Sequence, residues 1–278
     1  MKELFDQVSI RTSRNVTRTY STSFSLGIRF LSPRMRNPVH AIYGFVRLAD
    51  EIVDSFHSFN RRILLERFTA DTWLAIREGI SLNPVLNSFQ QTVNQYQIDH
   101  KLIHTFLHSM EMDLSDQRYT PETYEEYILG SAEVVGLMCL KIFVDGNEER
   151  YQELQPSAMK LGSAFQKVNF LRDFKADTEQ LGRRYFPQLQ NQTFNAAIKA
   201  EIEADIESDF ATGLEGIKQL PADARFGVYV AYIYYRNLLR KITETTPHGI
   251  MQERIRVSGQ KKISLLFSSY LRHSLNLL

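Results

Sequence analysis

The 278-residue chain has a single cysteine, only eight prolines and thirteen glycines, and almost no excess of either charge. One thiol, Cys139, cannot close an internal disulfide and fits a reducing compartment. With no activating partner beside it in the sequence, it reads as a small core residue rather than a nucleophile. A net charge of +1 excludes the strongly basic field of a general nucleic-acid binder, so no nucleic-acid partner is expected. The longest apolar runs, such as 227–235, reach about half of the ~18 residues that a membrane span requires. Residues 1–15 lack the apolar centre of a secretory signal. The expectation is a cytoplasmic protein, with any membrane contact peripheral.

What fills the chain is helical period. Apolar residues recur at spacings of three and four, predicting helices near 4–30, 38–57, 60–80, 84–97, 99–115, 121–144, 148–179, 191–219, 222–246 and 253–276. Pro33, Pro38, Pro84, Pro121, Pro187, Pro221 and Pro247 fall at or near the breaks, where a missing N–H costs least. Alternating strand patterns between tight turns are absent. No repeat, low-complexity stretch or linker divides the chain. The economical reading is one all-α domain over residues 1–278.

Two of these helices carry a polar stripe on an otherwise apolar body. Tyr43, Arg47, Asp50 and Asp54 follow i, i+4, i+7, i+11 and so share one face. Gln166, Asn169, Asp173 and Asp177 repeat the arrangement at i, i+3, i+7, i+11, and Arg183, Arg184 and Tyr185 follow directly. Carboxylates one turn apart repel each other slightly, and gain from proximity only with a cation between them. Oxygen-only donors suit magnesium, which keeps waters and shares phosphate oxygens, while arginine and tyrosine suit the remaining phosphate oxygens. Either stripe alone is commonly an ordinary solvated face. The pair is the informative object.

At these residues the sequence resembles the squalene and phytoene synthase family, from about residue 16 to 266. Tyr20, Ser23 and Phe24 resemble its early Y-x-x-S-F segment, and residues 41–54 its first aspartate motif. Met110, Asp113, Arg118 and Tyr119 resemble an M-x-x-D…R-Y segment. Gln166 to Asp177, with Arg183, Tyr185 and Pro187, is similar to the second aspartate motif and its trailing R-x-Y-x-P. Arg254, Arg256, Val257, Ser258 and Lys262 resemble the closing segment of the phytoene-type branch. One departure is Glu133, where the family often has glycine; it leaves the local helix geometry open.

The resemblance implies an isoprenoid-synthase-like helical bundle around a central cavity, with the acidic stripes facing each other at its mouth. It implies a prenyltransferase that condenses two allylic diphosphates head to head through a cyclopropylcarbinyl diphosphate. The first expectation is geranylgeranyl diphosphate to phytoene; the alternative is farnesyl diphosphate to dehydrosqualene or squalene. Asp50, Asp54, Asp173 and Asp177 are the expected ligands of roughly two or three magnesium ions bridged to the diphosphate. Arg47, Gln166, Asn169, Arg183 and Tyr185 are the expected diphosphate contacts. Arg183 and Tyr185, with Tyr43, Ser23 and Tyr127, are the candidates for the chemistry or the cavity wall. No NADPH requirement is expected, because the phytoene-type branch finishes by proton loss. Oligomeric state has no signal in the sequence.

Other patterns carry less. His100, His104 and His108 share a face with Glu111, a spacing that can bind zinc, but no further ligand is in sight. The segment 261–275 is basic and amphipathic and could rest on a membrane, although packing on the core is simpler. Tyr229, Tyr232, Tyr234 and Tyr235 read as core, with Tyr235 the one the family pattern places near the cavity. Head-to-tail prenyl transfer and terpene cyclisation favour D-D-x-x-D, which the stretch from Asp50 to Asp54 does not match. A non-catalytic assembly factor should have lost its acidic ligands, and all four aspartates are present.

Overall fold

The computed structural model describes residues 1–115, 119–190 and 192–255. Among these residues the chain is helical throughout, without a strand. The elements are α1 (Lys2–Tyr20), α2 (Thr22–Arg29), α3 (Pro33–Ser55), α4 (Arg61–Glu78), α5 (Pro84–Tyr96), α6 (His100–Met112), α7 (Pro121–Ile128), α8 (Val134–Phe143), α9 (Glu148–Glu179), α10 (Ala196–Gln219), α11 (Ala222–Thr243) and α12 (Pro247–Gln252). None is long and apolar enough to cross a membrane.

The helix starts follow local chemistry. Asn60, Asn83, Asp99, Thr120, Asn147, Asn195 and Thr246 each accept a backbone N–H at the first turn of α4, α5, α6, α7, α9, α10 and α12. Proline opens α3, α5, α7 and α12, where its fixed φ fits and its missing donor is no loss.

The helix expected over 4–30 is two helices. Ser21 is extended at φ −142°, and its Oγ accepts the Phe24 N–H at 3.2 Å, which starts α2 on a new axis. The helix expected over 121–144 continues in direction but contains a π turn, Leu129–Glu133, between α7 and α8. Most of the helix expected over 253–276 lies outside the described residues.

Two apolar cores flank a cavity. In one, Phe45 of α3 stacks on Phe89 of α5 at 3.8 Å between ring centroids, with Phe68 and Phe106 against it. The other is built by α9, α10 and α11 around Phe210 and Leu238. Between α8 and α9 the backbones almost touch. A Cβ on Gly162 would stand 2.9 Å from the Ala132 carbonyl oxygen, and one on Gly136 3.1 Å from that of Ala158. The close approach at the π turn is therefore made by Gly162, opposite the position where Glu133 stands.

Candidate active site

A cavity of about 570 Å³ runs between α2, α3, α8, α9, α10 and α11. Its deep end is walled by Leu140, Phe143, Leu154, Leu161, Ile217 and Leu220. Its mouth is polar. Ser23, Tyr43, Arg47, Asp50, Asp54, Tyr127, Gln166, Asn169, Asp173, Asp177, Arg183 and Tyr185 all open on this one cavity. Helical spacing explains the gathering: α3 and α9 each turn one stripe toward it.

At the α3 side, Arg47 donates to Asp50 at 2.5 Å and also to Glu51, and its guanidinium lies 4.4 Å from the centroid of the Tyr20 ring. Burial pushes the Asp50 carboxyl up to about 7, and Asp54 adds to the shift. At the α9 side, Asn169 Nδ2 donates to Gln166 at 3.4 Å and Gln166 Nε2 to Ser131 at 3.3 Å. Asp173 accepts from Arg172 Nε at 3.1 Å and pairs with Arg254 Nε at 2.6 Å. The Asp177 carboxyl is raised to about 8 by burial, then by Asp173 and by Asp54. That last influence crosses the mouth from α9 to α3.

The α3 stripe is also tied to the turn that follows α9. Arg183, in the turn after α9, donates from Nη1 to Asp54 at 2.6 Å and to the Tyr185 phenol at 3.3 Å. Burial raises the phenol of Tyr43, and more strongly those of Tyr127 and Tyr185, so these hydroxyls stay protonated near neutrality. Tyr235 donates to Asn169 Oδ1 at 3.2 Å and stacks on Phe165 at 4.1 Å, with the Phe24 ring beside both. These rings form the wall just below the polar mouth. Cys139 also opens on the cavity, and burial pushes its thiol up to about 12, which makes it an inert lining group.

Several residues went unassigned in the sequence. Arg172 and Arg254 both hold Asp173, and Tyr20 packs on Arg47. Asp113 sits behind the mouth and accepts the Tyr127 phenol at 2.7 Å. Glu133 is not on the cavity wall, although Ser131, Ala132, Val135 and Gly136 are. Burial raises its carboxyl to about 7, with Lys160 opposing. His108 lies 3.6 Å from Glu111 and 3.3 Å from Glu126, a surface arrangement. Among the described residues no three histidine, cysteine or acidic side chains converge on a metal position.

The squalene/phytoene synthase family matches residues 17–261. The chain is 29% identical over 289 residues to a 15-cis-phytoene synthase of Synechocystis sp., covering 93% of this chain and 83% of that protein. It is 27% identical to a phytoene synthase of Arthrospira platensis, over 95% of this chain and 93% of that one. Against the chloroplastic phytoene synthase 1 of Solanum lycopersicum, also 27% identical, 90% of this chain aligns and spans 65% of the relative. In three dimensions it resembles a ligand-bound dehydrosqualene synthase, with a TM-score of 0.82 at 22% identity over 96% of this chain and 98% of that one. A squalene synthase from Alicyclobacillus acidocaldarius gives 0.70 at 18% identity, over 86% of this chain and 94% of that one. Fold and relatives together define an all-α prenyltransferase. The chain belongs to the squalene/phytoene synthase family, which uses a divalent metal with diphosphate substrates.

Proposed function

We propose that the protein, acting as one domain, condenses two molecules of geranylgeranyl diphosphate head to head and releases phytoene. The observation that carries this is the union of an apolar cavity with two acidic stripes that open on it together, beside the Arg183–Asp54 pair. The matching phytoene synthases support the choice of donor and product.

The donor set fits magnesium: carboxylate and amide oxygens with no soft ligand, two carboxylates per helix, and charges that repel across the mouth until a cation intervenes. Asp50 and Asp54 would hold the ions from one side, Asp173 and Asp177 from the other, with diphosphate oxygens and water completing each shell. When bound, magnesium neutralises the diphosphate and makes it a better leaving group. Arg47, Arg183, Tyr185, Gln166 and Asn169 orient the diphosphates with charged or neutral donors.

The first ionisation breaks one C–O bond and yields an allylic cation with pyrophosphate. The second molecule's double bond captures that cation, loses a proton and gives a cyclopropylcarbinyl diphosphate. A second ionisation, rearrangement and proton loss complete the hydrocarbon. Phe24, Phe165, Tyr43 and Tyr235 present ring faces to the cations and keep water away. Ser23 and Tyr127 stand beside this path as polar groups for orientation or proton handling. The apolar donor would reach the mouth from a membrane surface, with the chain in peripheral contact.

The test supplies geranylgeranyl or farnesyl diphosphate with magnesium, with and without NADPH, and records product mass and pyrophosphate. The expected result is phytoene from the longer donor, at a yield and mass unchanged by NADPH. Product only with NADPH, or heavier by two hydrogens in its presence, would establish a squalene-type reduction instead. Preference for farnesyl diphosphate without reduction would establish a dehydrosqualene synthase.

A further inference from the structure

Asp113 follows the last turn of α6 and does not open on the cavity, yet it touches two residues that do. Its side chain is 1% exposed. Oδ2 accepts the Tyr127 phenol at 2.7 Å, and Oδ1 stands 3.3 Å from Arg183 Nε. Its carbonyl oxygen accepts a bond from Arg183 Nη2 at 3.1 Å. The guanidinium is therefore held along one edge by Asp113, through a hydrogen bond to its carbonyl and a charge contact with its carboxylate, while Nη1 reaches Asp54 and Tyr185 at the mouth. Tyr119 packs its ring against Tyr127 at 5.3 Å and Tyr185 at 5.1 Å, closing the cluster from behind.

A buried ion pair is a poor device for stability alone, since apolar residues of similar volume commonly do as well. Here burial drives the Asp113 carboxyl up to about 7 even though Arg183 pulls the other way. What the pair does supply is orientation. A guanidinium has a rigid fork of five donors, and fixing one edge fixes the direction of the rest.

We propose that Asp113 is a positioning residue for the reaction, holding Arg183 and Tyr127 from behind so that the Nη1 edge of Arg183 meets the departing pyrophosphate. This rests on the function proposed above. Asp54 is the exchangeable partner on that edge: once its carboxylate turns to a metal ion, the Nη1 donors are free for the diphosphate. Asp113 stays in place through the cycle.

The test is Asp113→Asn, followed by pyrophosphate release with geranylgeranyl diphosphate, magnesium and phospholipid vesicles that accept the product. The expected result is a loss of about 10²-fold in kcat, as for a misplaced catalytic group, with KM within about twofold and a near-parental circular-dichroism spectrum. In an Arg183→Ala background the same substitution is expected to cost no more than about tenfold, because its main partner is gone and only Tyr127 is left to hold. Parental kcat in Asp113→Asn, or losses that multiply in the double variant, would overturn the proposal. Should the Asn chain fail to fold, Asp113→Glu and Asp113→Gln share one shape and differ in charge. Glu is expected to retain more turnover than Gln, and equal rates would overturn the proposal. A parent chain that releases no pyrophosphate from either donor overturns the functional reading and this inference together; an active parent with an equally active Asn variant overturns the inference alone.

Discussion

Asp50→Asn and Asp173→Asn are each expected to lower turnover by at least ~10³-fold, because each removes a charged ligand worth several kcal/mol of transition-state stabilisation. The folded chain should survive both. Asp50 is held by Arg47, yet burial and Asp54 raise its carboxyl to about 7. Its unfolded value is near ~3.9, so the native state binds more protons between these limits, and stability falls as pH rises from about 4 to about 7. Asn abolishes that loss. Metal-free Asp50→Asn is therefore expected to melt a few degrees higher than the parent above pH 7, and equally or lower near pH 4. Asp173→Asn gives up its pairs with Arg172 and Arg254 but relieves Asp177, whose carboxyl burial and Asp173 raise to about 8. Its melting point should change little. Calorimetry across pH with steady-state assays at millimolar magnesium checks both statements, and near-parental turnover in either variant removes the metal assignment.

Arg183→Ala is expected to cost on the order of 10²–10³ in kcat, the usual consequence of losing a charge-stabilising donor that acts mainly in the transition state. The geometry supports a role in ionisation over simple capture. In the resting chain its Nη1 donors are engaged by Asp54 and Tyr185, so substrate must displace an existing partner to use them. Ground-state binding gains little from that exchange; the charge developing on the leaving pyrophosphate gains more. Single-turnover rates with saturating donor report the step directly. A raised KM with unchanged kcat would mean uniform binding and would sink the assignment. Burial works against the charge, but Asp113 and Asp54 beside it outweigh that and leave the guanidinium more firmly protonated than usual, so Arg183 itself stays charged throughout the neutral range.

Much of this arrangement was legible in the sequence because helices write their faces into it. The stretch read as 148–179 is α9, Glu148–Glu179, and 84–97 is α5, Pro84–Tyr96, since asparagine caps and proline mark the starts. The two stripes share one cavity for the same reason. What escaped were features made by contacts distant in sequence or by one local bond. Ser21 interrupts an unbroken apolar period with a single side-chain hydrogen bond to Phe24. The π turn has no pattern of its own and lies where Ala132 presses on Gly162. Asp113 is a lone carboxylate whose partner Arg183 is 70 residues away. Arg172 adjoins Asp173 in sequence, and adjacent helical positions do not normally share a face, yet it bends back onto that carboxylate.

A vessel greasy at depth and charged at its rim handles arrival and departure very differently. Two substrates come with anionic heads that the rim can grasp. The finished hydrocarbon has no head. Held among Leu140, Leu154, Ile217 and their neighbours, it would have nothing to draw it past the carboxylates. At about 0.8 kcal/mol per methylene, moving so long a chain into water would cost tens of kcal/mol, whereas moving it into lipid is nearly neutral. Departure is therefore expected to be faster when an oily acceptor is supplied. In clean buffer the protein should give one burst of about two pyrophosphates per active site, one from each ionisation, and then slow sharply. Phospholipid vesicles should leave the burst unchanged and lift the steady rate until ionisation limits it, the condition under which kcat reports the chemistry.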